Sequence, residues 1–224
     1  MVLDAAGILR AVIVWLLLTV AGIAAGEALT RPLLAPIALI GDLLIPGFHW
    51  QMSFQVHEEA LNVVVEATTE RAVQASPNSG LSPGVSVRAG ATTAHLLLPT
   101  VIWLTVLAAV RVEGWRQRLA LLAVGLIASQ VLAALMGAIL LAAKLELLLG
   151  QVALQANERR VENWVVDAMV FLETGGNIVF ALLGAALCLG LHETWRSRQH
   201  RPPVHHAGAS SDAPPADLPR KTGA

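Results

Sequence analysis

The chain has 224 residues, of which 55 % are hydrophobic and 14 % charged, and its mean hydropathy is +0.64. Soluble domains average roughly 45–50 % apolar and about 25 % charged residues, so the composition excludes an ordinary soluble enzyme. The net charge of −1 argues against nucleic-acid binding driven by bulk charge, and the single cysteine excludes internal disulfides and a multi-cysteine zinc site.

Four long apolar runs predict four transmembrane helices, because a bilayer core about 30 Å thick needs about 20 apolar helical residues. The runs are 11–28, 94–110, 119–143 and 165–191. The first run has a second interpretation as a cleaved signal peptide, since it ends in small residues. Its length, and the absence of a net positive side-chain charge in the first ten residues, favour an uncleaved anchor.

The distribution of basic residues predicts the orientation. Seven of them lie close to span ends on one side: Arg10, Arg111, Arg116, Arg118, Arg196, Arg198 and Arg201. Basic residues on the other side are spread over longer loops that also contain many glutamates. The positive-inside rule therefore predicts a multi-pass membrane protein with both termini in the cytoplasm.

Residues 33–47 are apolar but too short to span, and Asp42 and two prolines interrupt them. We expect this segment to lie in the membrane interface. Strict alternation of apolar and polar residues over 48–57 then predicts a strand with one buried face. Further strands are expected at 61–68 and 85–89, separated by a loop at 76–84 that is rich in Pro, Ser and Gly.

The predicted fold is thus an all-α membrane protein with four transmembrane helices and a small extracytoplasmic β-meander between helices 1 and 2. The third helix is expected to continue beyond the membrane and to turn back near Asn157. The predicted division is 1–29 for the N-terminus and first helix, 30–93 for the interfacial segment and β-rich insertion, 94–191 for helices 2–4, and 192–224 for a disordered cytoplasmic tail.

A polar patch within the fourth span is the strongest chemical oddity: Glu173, Thr174, Gly175, Gly176 and Asn177. Acidic residues at membrane depth are costly and suggest a functional site. Two glycines would also loosen the helix and free backbone carbonyls for an ion or a partner. The alternative, which we favour, is that Glu173 lies near the outer interface, where it is hydrated. His95 opens the second span, so a site made of His95 and Glu173 is geometrically possible.

Alanines recur every four residues in two spans and predict close helix packing: Ala134, Ala138 and Ala142 in the third, and Ala181 and Ala185 in the fourth. Packing inside the bundle explains them, and an interface with a partner remains open. Gln130 is expected to form a hydrogen bond between helices.

No catalytic, cofactor or metal-binding residue is predicted. Cys188 lies in an apolar helix without a nearby base, so packing is its expected role. His200, His205 and His206 belong to the tail, where weak metal binding is the alternative to a plain basic tail. His49 and His57 are too far apart along a strand to share a metal ion.

The order of elements resembles the exosortase H-associated membrane proteins. The resemblance consists of the first span, an apolar stretch ending in Leu44-Ile45-Pro46-Gly47, the alternating segment, and a second span entered through Leu96-Leu97-Leu98-Pro99. It covers roughly residues 8–190 and is one of layout; the chain lacks the tyrosines that such proteins often have before the second-span proline. It implies an accessory factor for exosortases, which are transpeptidase-like enzymes of the bacterial inner membrane.

We therefore expect a non-enzymatic accessory or scaffold protein of envelope protein sorting or polysaccharide export. Its expected partners are the lipid bilayer and a membrane protein such as an exosortase, with no nucleic acid and no cofactor. The alternative is a small transporter or ion-conducting subunit that uses the polar patch. A membrane-embedded hydrolase is disfavoured, because the sequence offers no nucleophile–base pair or metal set.

Overall fold

The computed structural model describes residues 5–57, 60–112, 114–161 and 163–199, with the backbone alone for 57 and 195–199. The helices within them are α1 (Ala5–Leu44), α2 (Thr93–Ala109), α3 (Trp115–Gln155), α4 (Trp164–Phe171) and α5 (Asn177–Gln199), with a π-helical turn at Leu172–Gly176 between the last two. The strands are β1 (Phe48–His57), β2 (Ala60–Thr69), β3 (Val73–Ser76), β4 (Ser79–Leu81) and β5 (Ser86–Thr92).

Three helical stretches in the described part of the chain are long and apolar enough to cross a membrane: α1, α3 and Trp164–Thr194. The protein is therefore a multi-pass membrane protein. The helix predicted at 94–110 is α2, which has 17 residues and is about 25 Å long at about 1.5 Å per residue. It is the shortest of the four predicted spans.

Helix α1 differs from the prediction, which ended it near residue 28 and laid residues 33–47 in the interface. The helix instead continues to Leu44, with one break at Ala25 (φ −130°, ψ 28°). Leu33 and Ile37 are 2 % and 0 % exposed and belong to the main core. One face of this segment is thus buried by other parts of the protein, whereas Leu39 and Leu43 on the opposite side are 66 % and 78 % exposed.

The three predicted strands are present and form an antiparallel sheet in the order β1-β2-β5. The register pairs Phe48 with Thr69 and His57 with Ala60, so β1 and β2 form a long hairpin. The loop predicted at 76–84 contains structure that the sequence analysis missed. β3 and β4 pair there as a small second hairpin, in which the three residues of β4 are hydrogen-bonded to β3 in antiparallel register.

One face of the sheet packs against α1 and α3. Trp50, Val63 and Ala91 are 5 %, 0 % and 3 % exposed, and they share a core with Leu33 of α1 and Leu145 of α3. On α3, Lys144 Nζ donates a hydrogen bond to the Gly90 carbonyl of β5 at 2.6 Å. The sheet therefore packs directly against the long helices α1 and α3.

Helix α3 has 41 residues and is about 60 Å long, about twice the thickness of a bilayer core. Its last turns lie beside the sheet, which agrees with the prediction that this helix continues beyond the apolar run. The predicted turn near Asn157 is also present, with this residue at φ +58°. The tail differs from its prediction, because α5 continues to Gln199 and residues 192–199 are helical. The predicted disorder of 200–224 lies outside the described residues.

Glycines allow the closest contacts between elements. A Cβ atom at Gly41 would lie 2.6 Å from the Trp50 ring, and one at Gly137 would lie 2.9 Å from Leu96. A Cβ atom at Gly184 of α5 would overlap the ring of Trp103 on α2. Because lipid supplies little hydrophobic drive between helices, such close packing is the main source of attraction between them.

Replacing Gly184 by Ala is expected to destabilise the protein. The new methyl group must displace Trp103, which is 6 % exposed, and overpacking of this kind costs about 1–3 kcal/mol. Gly190→Ala in the same helix is the matched control, since nothing lies within 4 Å of a Cβ atom there. Thermal unfolding in detergent measures both variants. Equal unfolding midpoints for the two would contradict the packing described here.

Candidate functional site

The predicted polar patch coincides with a break in the last span. The π-helical turn Leu172–Gly176 separates α4 from α5, and Gly175 adopts φ +118°. Side chains rarely adopt this conformation, whereas glycine does so readily. A Cβ atom at Gly176 would lie 2.7 Å from the Phe171 carbonyl oxygen. Both glycines are therefore required by the backbone geometry, and short π-helical turns are frequent at functional sites.

Neighbouring side chains accommodate this break. Thr174 Oγ1 donates hydrogen bonds to the carbonyls of Val170, at 2.8 Å, and Phe171, at 3.1 Å. The rings of Phe171 and Phe180 meet edge to face across the turn, with centroids 5.8 Å apart. Asn177 is 9 % exposed, and its Oδ1 accepts a hydrogen bond from the Ile178 amide at 2.7 Å.

The π-helical turn forms one wall of a cleft between α2, α3 and the last span. Glu173 and Asn177 line this cleft together with His95 from the first turn of α2, and its volume is about 20 Å³, which is room for about one water molecule. The remaining walls are apolar and include Pro99 and Met136. The structure thus brings together the histidine and the carboxylate that the sequence analysis considered as a pair.

The cleft has the chemistry of a small cation or proton site. A carboxylate and an imidazole at its exposed rim can bind a cation or exchange a proton. His95 is held by the α2 N-cap, because its amide donates to Thr92 Oγ1 at 3.4 Å. Within the described residues no group of three or more His, Cys, Asp or Glu side chains could hold a metal ion.

A buried ion pair beside the sheet was missed by the sequence analysis. Glu146 of α3 is 5 % exposed and accepts hydrogen bonds from Arg160 Nε at 3.0 Å and Nη2 at 2.9 Å. Arg160 Nη1 also donates to the carbonyls of Gln74, at 2.6 Å, and Ala75, at 3.0 Å, in β3. Its signal in the sequence is a glutamate between leucines, Leu145-Glu146-Leu147, just after the apolar run 119–143.

Glu158 makes a second connection between the α3–α4 turn and the β3–β4 hairpin. It accepts hydrogen bonds from the backbone amide of Asn78, at 3.2 Å, and from the side-chain amide of the same residue. Hydrogen bonds from Ser76 and Asn78 hold the pKa of the Glu158 carboxyl below its ordinary value. With the Arg160 contacts, this fixes the small hairpin to the end of α3.

The alanines of the predicted packing faces all lie inside the protein. Ala134 is 2 % exposed, and Ala138, Ala142, Ala181 and Ala185 are 0 % exposed. Neighbouring elements of the same chain cover them, so these faces offer no surface to a partner in the described structure.

Two other sequence candidates have packing roles. Gln130 Nε2 donates to Thr100 Oγ1 on α2 at 3.4 Å, which is the predicted hydrogen bond between helices. Cys188 packs at the edge of a second core around Trp103 and Leu107. The tail histidines 200, 205 and 206 lie outside the described residues.

Comparison with known proteins identifies no relative, since no family model, no curated protein and no solved structure matches the chain. The resemblance to exosortase-associated proteins therefore stays an expectation from layout.

Arg160→Gln is expected to lower the free energy of unfolding by about 2–3 kcal/mol, because it leaves the buried Glu146 carboxylate without its counter-ion. The value falls below the range for fully buried pairs because the Arg160 side chain is 23 % exposed. Arg159→Gln is the control, since Arg159 is exposed and a surface change stays within about 0.5 kcal/mol. Denaturant unfolding in detergent measures both.

A double variant isolates the pair itself. Adding Glu146→Gln to Arg160→Gln removes the uncompensated charge, so part of the lost stability should return. A double variant as unstable as the sum of the two single variants would contradict the assigned pairing.

Proposed function

We propose that the protein is a non-enzymatic accessory or scaffold subunit of a membrane assembly. The proposed assembly lies in a bacterial inner membrane and carries out exosortase-type envelope protein sorting or polysaccharide export. The observation that carries this proposal is the sheet, which is mounted rigidly on the membrane helices and has one open edge. A scaffold requires such a surface, held at a fixed height and angle, whereas an enzyme requires a reactive constellation.

The two edges of the main sheet differ. β5 runs beside α3, and its Gly90 carbonyl accepts the Lys144 hydrogen bond. Within the described residues β1 has β2 as its only strand partner. β1 is ten residues long, and its outward-facing side chains Gln51, Ser53 and Gln55 are exposed and uncharged. An extended segment of a partner protein can add to an edge of this kind as a further strand.

Chain direction supports four spans with both termini on one side. α2 begins at the sheet, where Thr93 Oγ1 donates a hydrogen bond to the Leu61 carbonyl of β2 at 3.1 Å. Gly26 of α1 lies close to the same hydroxyl, since a Cβ atom on it would be 3.5 Å away. α3 returns to the sheet at Lys144 from the opposite end. This packing of α2 against α1 and α3 supports the proposal that α2 spans the same layer as the first half of α1.

The alternative position for the sheet is the cytoplasm, and the basic residues argue against it. Arg10, Arg111, Arg116 and Arg118 all lie at the end of the helices remote from the sheet. By the positive-inside rule this end faces the cytoplasm, and the sheet then lies outside it.

Photocrosslinking along β1 tests the accessory function. A photoreactive residue at position 51 in native membranes should form a discrete adduct with another membrane protein. That protein should also be recovered in stoichiometric yield when the tagged chain is purified. The same residue at Ser86, which is exposed on β5, is the matched control and should give little adduct. The double change Gln51→Lys and Gln55→Lys should lower recovery of the partner at least about tenfold, since charged edges resist strand addition.

Recovery of the protein alone, or only as its own oligomer, would overturn the accessory function. Equal adduct yield from positions 51 and 86 would remove β1 as the contact, even with a partner present.

A second function is favoured by one specific observation, the shared cleft of His95, Glu173 and Asn177 at a helix break. On this basis the protein is a small transporter or ion-conducting subunit, in which Glu173 binds the cation or exchanges the proton. Unwound segments that line a cavity are the usual place for such sites in membrane proteins.

Under this second function, Glu173→Gln should abolish proton or sodium flux in proteoliposomes and leave thermal stability and β1 crosslinking unchanged. The control is Asp167→Asn, since Asp167 is an exposed carboxylate in α4 that does not line the cleft. Flux that survives Glu173→Gln, or that both variants lower equally, would exclude transport through the cleft.

A further inference from the structure

A second concave surface lies at the other end of the molecule, between the first turns of α3 and the last turns of α5. Its volume is about 500 Å³, and the Ala120, Val124, Cys188 and Leu191 side chains form its walls. Val124 and Leu191 are 58 % and 69 % exposed. The groove is thus open at its surface and apolar inside, so a lipid chain can enter it.

The mouth of this groove is basic. Arg116 and His192 line it, and the Arg116 guanidinium lies 5.6 Å from the centroid of the Trp115 ring. Trp115 is 69 % exposed, as expected for a tryptophan at the level of lipid headgroups. The planar guanidinium matches the oxygen atoms of a phosphate group, and its stacking on the tryptophan orients it.

Polar groups beside Arg116 also remain unsatisfied inside the protein. Gln117, which lines the groove, leaves its Oε1 atom buried without a hydrogen-bond partner, and the same is true of Arg118 Nε. Glu193 is the acidic residue next to His192, and the arginines outweigh it at this end.

We propose that this groove binds one anionic phospholipid, with an acyl chain between α3 and α5 and the phosphate on Arg116. The apolar walls bind the chain of any phospholipid, and the arginine adds selectivity for a negatively charged headgroup. Basic pockets between transmembrane helices are known to bind anionic headgroups in this way. The proposal is independent of the proposed function, since it concerns the end of the molecule remote from the sheet.

The only cysteine of the chain supplies a probe inside the groove. The full-length protein is placed in nanodiscs of phosphatidylcholine or of phosphatidylcholine with phosphatidylglycerol of the same chains. The rate at which an apolar maleimide labels Cys188 is then measured, and native mass spectrometry counts the lipids that stay bound. Phosphatidylglycerol should slow labelling severalfold and should remain bound as one molecule per protein.

Two variants separate the headgroup contact from general surface charge. Arg116→Gln should reduce the preference for phosphatidylglycerol over phosphatidylcholine by roughly tenfold, the ratio that one charge-assisted contact supplies. Arg111→Gln is the matched control, because Arg111 is exposed at the same end but does not line the groove. It should leave the preference unchanged.

Three results would overturn the proposal. Equal protection of Cys188 by the two lipids would show that the groove binds acyl chains without selectivity for the headgroup. Protection by inorganic phosphate alone would show an anion site without a lipid. An equal loss of preference in both arginine variants would show attraction to the membrane surface in place of a defined site.

Discussion

Gly137 lies where α1, α2 and α3 meet, and the rest of the structure depends on this close approach. A Cβ atom there would lie 2.9 Å from Leu96 of α2 and 3.0 Å from Ile37 of α1. On the side of Gly137 that is nearer the sheet, α1 and α3 continue into the core that they share with the sheet. On the other side they pack with α2. Since helices in lipid attract each other mainly through close contact, this contact unites the spans and the sheet into one body.

The shared core explains why the sheet is stable although it is small. A few strands alone bury too little apolar surface, but here the sheet buries its face against two long helices. The Glu146–Arg160 pair and Glu158 then attach the β3–β4 hairpin to the turn after α3. With one edge beside α3, and with β2 as the only strand partner of β1 in the described residues, the sheet holds β1 at its edge against the long helices.

The two ends of the helix bundle differ in chemistry. Near the sheet, the last span is broken at Gly175, and Glu173 and His95 line one cleft. At the other end, an apolar groove lies beside Arg116, and arginines outnumber acidic residues. The first arrangement suits a small cation and the second an anionic headgroup, because the sign of the fixed charge decides which ligand each end attracts.

Much of the architecture follows from the sequence because its signals are local. Alternation over 48–57 predicts β1, the turn at Asn157 follows from the end of an apolar run, and two adjacent glycines predict a loosened helix at 175 and 176. The sequence by itself therefore determined the membrane class, the three strands of the main sheet and the position of the polar patch.

Only the tertiary structure decided which surfaces are free. Residues 33–44 look interfacial in sequence, yet α3 and the sheet cover one face of them, and the alanine faces that could have met a partner are buried within the chain. The shared cleft of His95 and Glu173 and the ion pair of Arg160 with Glu146 likewise join residues that are far apart in sequence. Periodicity reports that a face is apolar, but the element that covers it depends on long-range packing that no local pattern encodes.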